Sequence, residues 1–156
     1  MPLAEFNRGI LLHDWDDPRV APFVNALAQV NLIAQRTPGF VWRLDDAAME
    51  RAQTDPASAL GPDPRLASTL SVWTDAPALH HFVFRTLHRA FYVRGHEWFV
   101  AETAPRVVMW FVPEGHRPTP DEAADRYARL CRDGEGAEAF GWAWLRAEGH
   151  LMEAAE

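Results

Sequence analysis

The chain of 156 residues contains no lysine; all 15 of its basic residues are arginine. No lysine Schiff base or lysine general base can therefore operate in it. The single cysteine, Cys131, excludes an intrachain disulfide and a CxxC redox or zinc pair. Serines are sparse and none lies in G-x-S-x-G, which argues against a nucleophile-elbow hydrolase. Neither a G-x-G-x-x-G turn nor a Walker loop occurs, so the nucleotide-binding folds built on them are not expected. No apolar run approaches the roughly 18 residues of a membrane span. The start, "MPLAEFNRG", lacks a basic stretch followed by an apolar core and does not read as a signal peptide. A cytoplasmic protein with no membrane partner is the expectation. The net charge of −7 supplies no basic surface for phosphate, so nucleic acid is not an expected partner.

The length fits one domain, and 48% hydrophobic residues with seven tryptophans fit a bulky core or an aromatic-lined cavity. "LAEFNRGILL" (Leu3 to Leu12) reads as a strand. One parity carries Glu5, Asn7 and Gly9, the other Phe6 and Ile10, with Arg8 as an exception. Asp17 and Pro18 open a helix whose apolar stripe runs from Val20 through Phe23, Leu27 and Val30 to Ala34, ended by "TPG". "FVWRL" (Phe40 to Leu44) is a second strand. The polar stretch from Asp45 to Pro64 reads as a long loop or excursion over one edge. "RLASTLSVW" (Arg65 to Trp73) is a third strand, followed by a helix capped by Thr74 or Asp75. "RVVMWFV" (Arg106 to Val112) is a fourth, apolar on both faces. Thr119, Pro120 and Glu122 form a capping-box signature for a helix from Pro120 to about Cys131. A body of residues 1–135 is then followed by an aromatic tail, 136–156, containing Phe140, Trp142 and Trp144. The tail is expected to pack on the body or on a second subunit.

The order β-α-β-loop-β-α-β is the split βαβ, ferredoxin-like pattern of the α+β class. It predicts a four-stranded antiparallel sheet with helices on one face. The other face would be bare, and a homodimer related by a two-fold axis is the expected cover.

The second helix holds "LHHFVFRTLHRAFYVRGHEWF", Leu79 to Phe99, with four of the seven histidines. A metal site inside it is excluded by spacing, because residues four beyond His80, His81 and His88 are Phe84, Arg85 and Tyr92. Leu79, Phe82, Val83, Thr86 and Ala90 form a stripe that faces the sheet. At about 100° per residue, His88 falls nearly opposite, on a second aromatic face with Phe84 and Phe91. That face is covered by the tail or by the 45–64 segment. Alternatively the helix breaks near Leu87 and turns His88 inward.

"NLIAQRTPGFVWRL", "LSVW", "FVFRTLHRAFYVRGHEWF" and "MWFVPEGHRPTPDEAADRYARL" resemble the bacterial domain-of-unknown-function 3291 family. This is a branch of the dimeric α+β barrel superfamily, and the resemblance covers most of Leu3 to Leu130. It implies a ferredoxin-like protomer and a barrel formed by dimerisation. The superfamily includes cofactor-independent monooxygenases, haem-binding and haem-degrading enzymes, polyketide cyclases and small stress-related proteins. Their pockets lie between sheet and helices. Where the family motif reads Tyr-Arg-Ser-Gly-His, this chain has Phe84, Arg85, Thr86, Leu87 and His88, losing a phenol and filling a glycine hinge.

The leading expectation is an enzyme acting on a small aromatic or polyketide-like substrate, with no cofactor and no metal. The reaction would be cofactor-independent oxygenation, or an acid/base isomerisation, cyclisation or dehydration. Glu5 and His88 would move protons, a buried carboxyl beside an amide being suited to acid/base work. Asn7 and Arg85 would position oxygen atoms, and Arg43 and Arg85 would hold a carboxylate or phenolate oxygen by paired N–H donors. Trp42, Trp73, Trp110 and Phe84 would line an aromatic slot. The alternatives are a non-catalytic binding or stress-related module, and haem binding through His88.

Overall fold

The structure is a computed structural model that describes residues 1–86 and 88–152. The filled hinge at Leu87 and the last four residues of the tail lie outside the described residues. Strands β1 (Leu3–Ile10), β2 (Phe40–Arg43), β3 (Leu66–Trp73) and β4 (Val107–Phe111) form one sheet in the order β2-β3-β1-β4. Every neighbouring pair is antiparallel. Between β1 and β2 runs α1 (Ala21–Arg36); between β3 and β4 run α3 (Ala76–Arg85) and α4 (His88–Tyr92). This is the ferredoxin-like α+β arrangement that the element order predicts.

Local chemistry explains the boundaries. Asp17 accepts a hydrogen bond from the Arg19 amide and opens a short 3-10 turn, Pro18–Val20, that leads into α1. Asp75 accepts from the Ala78 amide at the start of α3. Thr119 accepts from the Glu122 amide at the start of α5 (Pro120–Asp133). Each cap satisfies an N–H that the helix itself cannot.

Faces are assigned by strand parity. Leu3, Trp73 and Met109 share one face with Ala34 of α1 and Leu79, Phe82 and Val83 of α3. Ala4, Phe6, Leu70, Val72, Val108 and Trp110 share the other. The second face is not bare. It is buried by α5, through Ala123, Tyr127 and Leu130, and by α2 (Asp46–Thr54), through Met49 and Ala52. The helices expected on one face alone therefore occupy both, and this face supplies no reason of its own for a second subunit.

The 45–64 stretch, expected as a loop or edge excursion, contains α2. Asp45 caps it by accepting from the Ala48 amide, and Leu44, Met49 and Ala52 pack on the sheet. Too few apolar residues mark this helix for its period to stand out among its charges. The tail residue Phe140 exchanges both backbone hydrogen bonds with Met109, at 2.8 and 2.9 Å, along the open side of β4. Helix α6 (Trp142–Ala147) follows it, with Leu145 buried beside Phe140 and Leu151.

Strand β2 carries a bulge. Phe40 pairs with Trp73 and Trp42 with Val72, so Val41 is the extra residue and is 49% exposed. Strict alternation would put Phe40 and Trp42 on one face. The bulge separates them, and the next residue, Arg43, pairs with Ser71 on the face covered by α1 and α3.

If α2 is a structural cover and not a loose excursion, Met49→Ala will destabilise the chain by about 2–4 kcal/mol. Urea unfolding followed by tryptophan fluorescence measures this. A change below about 0.5 kcal/mol, typical of exposed sites, would mean that α2 does not pack in solution.

Candidate active site

The central strands carry polar residues in the middle of the face covered by α1 and α3. Glu5 pairs with Ser71, and Asn7 with Thr69, so two polar rows cross β1 and β3. Apolar clusters lie at both ends. One holds Leu3, Trp73, Leu79, Phe82 and Met109; the other holds Leu11, Val20, Ala67 and Trp98. The second cluster comes close to the sheet because Gly9 has no side chain. A Cβ there would stand 2.6 Å from the Phe99 ring.

Glu5 is only 6% exposed. Its carboxylate accepts from Asn7 Nδ2 at 2.9 Å and from Ser71 Oγ at 3.2 Å. Ser71 Oγ itself accepts from Trp73 Nε1 at 3.0 Å, which directs the serine proton toward Glu5. Asn7 Nδ2 donates also to Thr69 Oγ1 at 2.6 Å. Burial outweighs the two donors and raises the Glu5 carboxyl from 4.5 to about 7. Solvent nevertheless reaches the sheet beside it, because Asn7 and Thr69 are half-exposed between the two buried clusters.

His88 is set by a break in the second helix. Thr86 ends α3 in an extended conformation, and its hydroxyl donates to the Phe82 carbonyl. The same oxygen accepts the His88 amide at 3.2 Å and so starts α4. The long single helix is thereby divided, and His88 turns toward Phe82, at 4.7 Å between rings. Its Nδ1 faces the Val83 carbonyl at 3.1 Å, which fixes the proton on Nδ1 and leaves the Nε2 lone pair as the basic position. Burial lowers the imidazole's affinity for a second proton, opposed by that carbonyl. Phe82 in turn stacks on Trp73 at 5.2 Å, so two aromatic rings stand between His88 and the Glu5 network, and the two expected proton carriers are not brought together.

The remaining candidates divide. Trp73 belongs to the network, but Trp42 and Trp110 lie on the opposite face, so the three tryptophans do not form one slot. Antiparallel pairing sets Trp110 opposite Ala4, one residue out of phase with Glu5. Trp110 Nε1 donates to Glu122 there, at 3.1 Å. Phe84 is turned away from the sheet, against His80, Tyr92 and Trp142 of α6. The tail thus covers the outer aromatic side of α3. Arg85 is exposed at the end of α3 and does not join Glu5. Asn7 spends both its amide protons on Glu5 and Thr69, so it orients the acid and keeps only its Oδ1 for an incoming group. Ser71 and Thr69 were not among the expected site residues. The signal was present as two polar residues at i and i+2 inside an apolar strand, matching Glu5 and Asn7 in β1.

Two clefts open elsewhere on the surface. One, of about 270 Å³, lies between the end of α2 and the start of α5, beside Ala52, Ser58 and Asp121. The other, of about 330 Å³, lies beside Asp75, Phe111 and His150. Neither is lined by Glu5, Asn7 or His88. No group of three or more metal-ligating side chains converges among the described residues. Among them also, no helix is long and apolar enough to cross a membrane.

The connectivity and strand order define a ferredoxin-like α+β fold. Within it, the chain belongs to the family described as Domain of unknown function (DUF3291), whose model matches residues 2–153 and so runs through the tail. Among solved structures it resembles SnoaB, a cofactor-independent oxygenase from Streptomyces nogalater, at 15% identity and a TM-score of 0.46, over 72% of this chain and 94% of that one. It also resembles the NE2512 protein of unknown function from Nitrosomonas europaea, at 13% identity and 0.48, over 76% and 95%. A third is the protein YJCS, at 13% identity and 0.46, over 72% and 100%. At this level the likenesses bear on no step of the chemistry. No curated protein matches the chain.

The raised Glu5 carboxyl makes stability depend on pH. Below about 4.5 the group is protonated folded or unfolded, and its contribution is fully present. That contribution is lost as pH rises through about 7, by on the order of 3 kcal/mol at pH 8. His88 acts in the opposite sense: its contribution is present above 6.5 and is lost as pH falls. Glu5→Gln isolates the first effect. Its stability relative to wild type should rise by that amount between pH 4.5 and 8, measured by chemical denaturation at each pH. A flat difference would mean that the carboxyl is solvated.

Proposed function

We propose that the protein is a small-molecule enzyme that works by proton transfer at Glu5. The observation that carries this reading is a buried carboxyl, held by Asn7 and Ser71 beside a solvent-reached part of the sheet, whose burial pushes its pKa up to about 7. A purely structural carboxyl gains nothing from such a position, since ionisation there opposes folding. A base is most effective when its pKa lies near the working pH.

Glu5 takes a proton from a carbon or phenolic oxygen of an aromatic or polyketide-like substrate, and Asn7 and Ser71 keep the carboxylate aimed. Thr69 Oγ1, which accepts from Asn7, retains its own proton to donate to the oxygen on which charge develops. The apolar clusters at both ends of the polar rows exclude water from the flanks. The anion so formed can isomerise, eliminate, cyclise or react with dioxygen without a cofactor.

The test uses 1,8-dihydroxyanthrone, an aromatic carbon acid. Wild type should accelerate exchange of its methylene protons into deuterated water, followed by NMR, with a rate that rises through a pKa near 7. Glu5→Gln should lower the rate about a hundredfold or more. An equally active Glu5→Gln variant would overturn the reading. Oxygen uptake during turnover separates oxygenation from the redox-neutral outcomes.

A further inference from the structure

Arg43 has a buried donor with no partner. Its Nη1 donates to the Leu44 carbonyl at 3.0 Å and to Asp46 Oδ1 at 3.1 Å. Its Nε is buried and meets no acceptor, the only such buried side-chain atom among the described residues. A guanidinium binds a carboxylate most strongly along the edge formed by Nε and Nη2, with two parallel hydrogen bonds. Other arginines of this chain use that edge in this way. Arg19 holds Asp17 by Nε and Nη2, at 3.0 and 2.7 Å. Arg94 holds Glu97 and Arg132 holds Asp133 by the same two atoms. On Arg43 the edge finds no acceptor among the described residues. An orphaned buried N–H costs stability and calls for a cause.

Its position supplies one. Because of the bulge at Val41, Arg43 stands in one row with Ser71 and Glu5 across three adjacent strands. Asp46, which holds Nη1, also accepts from Asn31 of α1 at 3.4 Å, so the guanidinium lies on the α1 side of the sheet. Asp46 is itself well exposed, so this ion pair does little to neutralise the arginine.

We infer that the empty Nε/Nη2 edge of Arg43 binds the carboxylate of the substrate on which Glu5 acts. This rests on the proposed proton transfer and adds a substrate class to it. Two strand spacings separate the backbones of Arg43 and Glu5, about 10 Å. The substrate is therefore an organic acid whose body lies over Ser71. Its acidic carbon or hydroxyl sits within about 10 Å of the carboxylate, the reach of a fused aromatic acid.

Calorimetric titration of the full chain with 2-naphthoate and 3-hydroxy-2-naphthoate, against 2-naphthamide, tests this. At pH 6 Glu5 keeps its proton and does not repel the anion. Wild type should prefer the acids to the amide. Arg43→Met should weaken the acids about thirtyfold and leave the amide unchanged, removing the preference. Arg43→Lys, which keeps the charge without the two-donor edge, should recover only part of it. A merely structural arginine would not move the acid-to-amide ratio. Equal acid binding by wild type and Arg43→Lys or Arg43→Met, or no acid preference in wild type, overturns the inference. The wild-type preference and Arg43→Lys decide the matter even where Arg43→Met does not fold. The proton-transfer reading fails by a different result, an active Glu5→Gln, which leaves this binding comparison intact.

Discussion

Burying the Glu5 carboxyl between the sheet and its helices imposes a condition on everything around it. The group loses water and must find its donors inside the protein. Asn7 sits two residues along the same strand, and Ser71 directly across on β3, so both donors depend on the β1–β3 register. A slip of one residue would send Glu5 to the opposite face, among Phe6, Leu70 and Val108. Trp73 then fixes the serine proton, and Phe82 stacks on Trp73. Even the placement of α3 is therefore tied to satisfying one acid.

The second constraint is the sheet's other face. Six apolar residues on three strands need a cover, and α2 and α5 provide it from the same chain. The paired polar residues Glu5, Ser71, Asn7 and Thr69 lie on the opposite face, under α1 and α3. There, two apolar clusters leave the polar rows between them open to solvent at Asn7 and Thr69. Thr86 contributes by dividing the second helix, which brings His88 toward Phe82 instead of leaving it on the outer face with Phe84.

Much of this was legible before any coordinates. The four strands, the caps Asp17 and Thr119, and the ferredoxin-like order follow from short-range rules that need only the neighbouring residues, whereas the choice of Asp75 over Thr74 as the third cap is made by its bond to the Ala78 amide. Glu5 and Asn7 could be paired on one face for the same reason. The cover of the second face was not legible, because α2 is mostly polar and its few apolar residues acquire meaning only beside the sheet. Nor was the split of the tryptophans between faces, since Trp42, Trp73 and Trp110 belong to three strands whose relative phase is a matter of pairing. The division of the second helix at Thr86 was one of two readings that the aromatic pattern left open, and the hydroxyl's bonds to Phe82 and His88 decide it.

The amino-acid order by itself determined the elements, their succession and the parity that sets Glu5 beside Asn7. Each of these depends on contacts within a few residues. Only the tertiary structure decided what stands opposite: Ser71 and Thr69 across from Glu5 and Asn7, and Arg43 in the row of Glu5. The last depends on the bulge at Val41, which reverses the alternation of β2 between Phe40 and Trp42. A bulge is a property of two paired strands, set by which residues each must bury against the other, and it has no expression in either strand alone.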